Sequence, residues 1–182
     1  MRRITVTPNV EEVTFLPEDA ASGEVHAQFD LAIRYSAGDG VPKSWRKAAM
    51  WYQKAAVQGY ALAQSNLGMC YAHGLGVAQS WPIALHWFQA AADQGLATAQ
   101  HNLATCYEAA FGVERSDKDA AAWYRLAARQ GHSGAQFKLG CFYAQGKGVL
   151  KSTEQAAHWL FAAARQGAPG ALETLHIVFR QH

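Results

Sequence analysis

The stretch Ala63–Thr98, AQSNLGMCYAHGLGVAQSWPIALHWFQAAADQGLAT, decides the fold. Ala63, Leu67 and Tyr71 recur at i, i+4 and i+8, which is one stripe of a helix. Gly74-Leu75-Gly76 breaks that stripe, because glycine supplies the backbone angles that end helices and make turns. Ser80 then stands as the N-cap of a second helix, with Pro82 in its first turn, where a missing N–H costs little. Ala84, Trp87, Phe88, Ala91 and Ala92 give that second helix a full apolar face, and Gly95 ends it. The next helix begins about three residues later, a connection short enough to force antiparallel neighbours.

The pattern recurs in register every 36 residues, at Ala27, Ala63, Ala99, Ala135 and Ala171. Four full copies fill 27–62, 63–98, 99–134 and 135–170, and thirteen of the 36 columns hold one residue type in all four. Self-similarity at this period marks a stack of helix pairs in which each unit buries its apolar face only against its neighbours. The expected fold is therefore all-α, a solenoid. Leu31, Leu67, Leu103 and Leu139, the tyrosines headed by Tyr35 and the tryptophans Trp51, Trp87, Trp123 and Trp159 are read as the large fillers. The alanine columns headed by Ala27, Ala48, Ala55 and Ala56, with the Ala/Gly column of Ala32, Gly68, Ala104 and Gly140, let backbones approach. In copy three Ala110 replaces the loop glycine; if the site needs positive φ this costs about 1 kcal/mol, and a different loop path is the expected relief.

The ends are expected to cover the stack. In the N-terminal extension, residues 1–26, Phe15, Leu16, Ala20 and Gly23 fall under Trp51, Tyr52, Ala56 and Gly59, predicting a degenerate capping half-repeat with Pro17 in its middle. After Ala171, ALETLHIVF puts Leu175 and Phe179 in the leucine and tyrosine columns, so residues 171–182 are expected to form a lone capping helix.

Composition narrows the classes of function. A net charge of +2 with no run or stripe of Lys and Arg argues against nucleic acid as the ligand. No stretch approaches the ~18 consecutive apolar residues of a membrane span. Pro8, Glu11 and Glu12 interrupt anything like a signal-peptide apolar segment, so the expected location is the cytoplasm, or the periplasm or exterior if a leader has been removed. Cys70 and Cys106 share a column, and Cys141 lies one position off it. Helix axes sit ~8–10 Å apart, whereas disulfides need Cα atoms within ~7 Å, so free thiols are expected.

Leu-Gly, Tyr, Gly-x-Gly-Val, Ala-x-x-Trp-Tyr/Phe, Ala-Ala and Gln-Gly, recurring over 27–170, resemble the Sel1-like repeats, helix–turn–helix units related to the tetratricopeptide type. The resemblance implies a right-handed α/α superhelix with the first helices on the concave side, and work as a scaffold for protein complexes. The family often has Asp at the N-cap where all four copies here have Ser (Ser44, Ser80, Ser116 and Ser152), a swap of one capping residue for another.

Little in the chain suggests chemistry. Ser44-Trp45-Arg46-Lys47 matches the Ser-x-x-Lys of penicillin-recognising enzymes, and cysteine-rich relatives in the family have been linked to β-lactam binding. Ser44, however, is the cap residue of every copy, and no Ser-Asp-Asn or Lys-Thr-Gly companion exists. The eight histidines form no His-x-x-x-His, and no Cys-x-x-Cys occurs, so neither metal nor cofactor is expected. Specificity should instead sit in first-helix columns that vary between copies. These supply Asp30, Arg34, Asn66, His73, Asn102, Lys138 and Phe142 as the candidate partner-binding residues. Asn66 and Asn102 can each donate to and accept from an extended peptide backbone, and Lys138 suits an acidic group or terminal carboxylate. Asn66 and Asn102 can equally be structural or merely exposed. Trp45 and Trp81 are read as loop covers or as binding anchors, and Phe29, Phe111, Phe137 and Phe161 are equally open. The expected function is a non-enzymatic module holding a protein or peptide in its concave groove. The alternatives are an immunity or inhibitor protein for a secreted bacterial effector, as some Sel1-like proteins are thought to be, and, on Ser44 alone, a hydrolase.

Overall fold

The computed structural model describes residues 20–180. Among the described residues, after helical backbone at 20–21, nine α-helices follow one another: α1 Val25–Ala37, α2 Trp45–Val57, α3 Ala61–His73, α4 Trp81–Asp93, α5 Ala97–Ala109, α6 Asp117–Arg129, α7 Ser133–Gln145, α8 Thr153–Arg165 and α9 Ala171–Arg180. They form four helix pairs and a closing helix, stacked as a solenoid. Each second helix packs on the first helix of its own pair and on the first helix of the next.

That double contact sets the core. Tyr52, Phe88, Tyr124 and Leu160 are the deepest large side chains of the second helices, each 4% exposed or less. The tryptophans of the neighbouring column are only partly buried and flank these clusters, so the expectation that they fill the interior is corrected. A first helix lies between two second helices and needs two apolar stripes. In α7, Ala135, Leu139 and Phe142 face α6, while Gly140 receives Leu160 of α8, where an added Cβ would stand 2.7 Å from that side chain.

Local chemistry explains the helix ends. Ser44, Ser116 and Ser152 accept from the backbone N–H three residues on, at 3.2–3.3 Å. Ser80 occupies the same extended N-cap conformation without that bond. The loops close alike, since the N–H groups of Ser44, Ser80, Ser116 and Ser152 donate to the carbonyls of Tyr35, Tyr71, Tyr107 and Tyr143 at 2.8–3.0 Å. The second glycine of Gly-x-Gly-Val is fixed by close approach: a Cβ on Gly76 would meet the Trp45 backbone at 2.2 Å. Ala110 does not take a different path. It holds φ 60° and ψ 36° where Gly38, Gly74 and Gly146 sit in the other copies, so the strain is borne in place.

Two glutamine columns join the layers. Gln28, Gln64, Gln100 and Gln136 are 4–7% exposed, and each donates to a carbonyl eight residues back, at the end of the preceding second helix in the three later copies. Each also accepts, at 2.8–2.9 Å, from Gln58, Gln94, Gln130 or Gln166 at the C-cap of its own pair. Every buried amide is thereby satisfied. Of the N-terminal extension, Ala20 is buried against Ala27 and Leu31 and accepts from Gln28; Phe15, Leu16 and Pro17 lie outside the described residues. At the other end Leu175 is buried, but Phe179 in the tyrosine column is 60% exposed.

Candidate functional site

The variable columns of the first helices form one face with different chemistry at each junction. On α3, Asn66, Met69 and His73 follow at i, i+3 and i+7; on α5, Asn102 and Thr105 continue that face. Between them lies a cleft of about 230 Å³, floored by Phe88 and Cys106 and walled by Met69, His73, His101, Asn102 and Thr105. Trp81 and Phe111 close one side, their rings stacked at 4.2 Å and 18°. A second cleft of about 200 Å³ lies beside it, lined by Trp45, Tyr52, Asn66, Met69, Cys70 and Leu75. Met69 belongs to both, and the Asn102 amide donates to its sulfur at 3.7 Å.

One junction further on, the same face is closed by charge. Glu108 accepts from the Tyr124 hydroxyl at 2.7 Å and from Lys138 Nζ at 3.1 Å, and Lys147 Nζ reaches it at 3.3 Å. Lys147 also stands 3.6 Å from Asp117, which Arg115 grips with two nitrogens at 3.2 Å. Burial alone would raise the Glu108 carboxyl, but the Tyr124 hydroxyl and the Lys138 ammonium hold it below the ordinary carboxylate range. The Tyr124 phenol moves up, through burial first and its bond to Glu108 second.

His101 links the two junctions. Its ring stacks on His132 at 4.6 Å and lies 5.5 Å from Tyr124. Burial, reinforced by His132, pushes its pKa down to about 4, so it is neutral near pH 7. His132 Nδ1 accepts from the Ala135 N–H at 3.1 Å and caps α7.

The structure separates the seven predicted residues. Asn66, His73 and Asn102 line the clefts. Asp30 and Arg34 pair with each other at 2.8 Å on α1. Lys138 is engaged by Glu108. Phe142 is a correction: at 2% exposure it is core, with its ring edge-on to Tyr124, because its column is the stripe that faces the preceding second helix. Cys70 and Cys106 share that column and are buried free thiols, and burial raises both to about 11. Arg34, half-buried, is the polar exception in that column. Reasoning from sequence passed over His101 and Glu108 as functional positions; Glu108 shares its column with Ser36, Ala72 and Ala144, and that lone charge was the available signal.

Elsewhere the candidates for chemistry have structural partners. Ser44 caps α2, while Lys47 Nζ lies 5.0 Å from the centre of the Tyr35 ring. His86 and His158 stand edge-on to Trp87 and Trp159. Among the described residues no group of three His, Cys, Asp or Glu could hold a metal ion, and no helix is long and apolar enough to cross a membrane.

Solved structures share this architecture. A protective antigen present in uropathogenic Escherichia coli strains is 35% identical over 86% of this chain, with a TM-score of 0.83. A Sel1 repeat protein from Oxalobacter formigenes is 34% identical over 88%, with a TM-score of 0.81. The chain spans 33% of the first and 63% of the second. Helicobacter pylori cysteine rich protein B, 22% identical, matches 73% of this chain and 96% of its own length at a TM-score of 0.58, a likeness of fold alone. A search among curated proteins found no match. The Sel1 repeat profile matches residues 25–60, 61–96, 97–132 and 133–167 in succession. With that profile running over most of its length and the paired helices behind it, the chain belongs to the Sel1 repeat family.

Proposed function

We propose that the protein is a non-enzymatic binding module that holds an extended peptide segment of a partner protein along the first-helix face of copies two and three. Sel1 repeats generally mediate protein–protein interactions, and the partner here is read from the local chemistry. The supporting observation is the pair of adjoining apolar clefts that share Met69 and have Asn66 in one and Asn102 in the other. Each cleft has room for one apolar side chain, and the two amides can bond a backbone running between them. The stacked Trp81–Phe111 wall is rigid and aromatic, the composition that concentrates binding energy at interfaces.

Selection of random displayed peptides on the full chain, repeated on Met69→Glu and Thr105→Arg, tests the reading. Binders are expected to carry apolar residues at two positions and to be lost on both variants, with helical content by circular dichroism unchanged. A set of binders indifferent to both substitutions rejects it.

A further inference from the structure

The exposed face of α9 departs from the columns on which a second helix packs in the complete copies, and it is apolar nonetheless. In complete copies the column of Ala32, Gly68, Ala104 and Gly140 is where the second helix comes down: a Cβ on Gly68 would meet Phe88 at 2.7 Å, and one on Gly140 would meet Leu160 at 2.7 Å. In α9 that column holds His176, a far larger side chain than the Ala or Gly of the complete copies. Leu172 stands in the column of Gln28, Gln64, Gln100 and Gln136, so the amide ladder has no acceptor here either. Yet Leu172 is 58% exposed, Ile177 49% and Phe179 60%. A hollow of about 580 Å³ runs along this face, with Glu173 and Arg180 also lining it. Neither of those charges belongs to any ion pair among the described residues.

We infer that this face binds a second copy of the chain, α9 lying antiparallel on α9 across a two-fold axis. The charges favour that occupant over an unrelated one. Glu173 and Arg180 are seven residues apart on one face, ~10.5 Å along the axis, too far to pair within a single helix. A two-fold axis passing between His176 and Ile177 sets each Glu173 level with the partner's Arg180, so one arrangement satisfies both charges twice. Leu172 and Phe179 have the same spacing, and the same operation brings them within a turn of each other across the contact. Ile177 and His176 lie at the centre. A patch carried by one ten-residue helix is small, so the dimer is weak and forms in the micromolar range or above.

Sedimentation velocity of the full chain, from low micromolar to several hundred micromolar, decides the matter. The expected result is a shift from monomer to dimer that stops at two copies. Ile177→Glu, an exposed position whose thermal melt should not change, is expected to leave only monomer. Glu173→Arg and Arg180→Glu should each weaken association by about tenfold, and the double exchange should restore it. A wild-type chain that stays monomeric at the highest concentration overturns the inference. So does growth beyond two copies, or a double exchange no better than the single ones.

Discussion

The junction between copies two and three and the junction between copies three and four share one backbone plan and end in opposite chemistry. In the first, Met69, Asn102 and Thr105 leave a cleft of about 230 Å³ beneath Trp81 and Phe111. In the second, Glu108, Lys138 and Lys147 fill the corresponding surface with a bonded cluster. The repeat constrains the columns that touch neighbouring helices and leaves the rest free, so one scaffold carries an open cleft and a sealed surface a turn of the stack apart. Tyr124 is the hinge of the contrast, because its hydroxyl both donates to Glu108 and lies 3.1 Å from Thr105.

The strongest way to break the contrast is Tyr124→Ala. It empties a fully buried position and strips Glu108 of its shortest bond, at an expected cost of about 3–5 kcal/mol in urea denaturation. Trp123→Ala, one residue earlier but half-buried, should cost less, and equal costs would contradict the core described here. Glu108→Ala converts the sealed junction into an open one. Lys138 and Lys147 are then left facing each other, and stability should fall by about 2 kcal/mol, with the loss growing at low salt. A loss that ignores ionic strength would mean that the cluster is held by packing instead of charge.

Acidification sharpens the comparison at the point where the junctions meet. The His101 pKa is about 4 when folded, below its ordinary value of 6.5, so the folded chain binds fewer protons than the unfolded one between those values. The stabilisation is complete above about pH 6.5 and is lost as the pH falls through 4. His101→Phe, which uses the residue found in this column at Phe29 and Phe137, should flatten that slope by about 1–2 kcal/mol across the window. The smallest effect is a gain. Ala110→Gly relieves a left-handed backbone in the loop between the two junctions and should add up to about 1 kcal/mol, read as a higher denaturation midpoint.

What could be read in the chain followed from periodicity. Leu67, Ala84 and Gly95 repeat because every layer makes the same contacts, so the helix pairs and their order were legible. The burial of Phe142 was not, since its column mixes Arg34, Cys70, Cys106 and Phe142, and the second stripe of a sandwiched helix appears only when both neighbours are in place. The depth of Tyr52, Phe88, Tyr124 and Leu160 was masked in the same way: invariance drew attention to the tryptophans, while the interior tolerates exchange of shape between layers. Copies with Tyr52 or Tyr124 oppose Ala32 or Ala104, and those with Phe88 or Leu160 oppose Gly68 or Gly140. The Glu108 cluster occurs once and therefore leaves no periodic trace. The paired glutamine columns did leave one, as invariant polar residues bordering an apolar stripe.

That line of glutamines has a mechanical consequence. Each bond from Gln64, Gln100 or Gln136 to a carbonyl of the preceding second helix spans one layer boundary and no more, so tension applied to the ends of the rod opens a single seam at a time, in steps of one helix pair. Leu172 cannot make that bond at the boundary between α8 and α9, and peeling under load should start there.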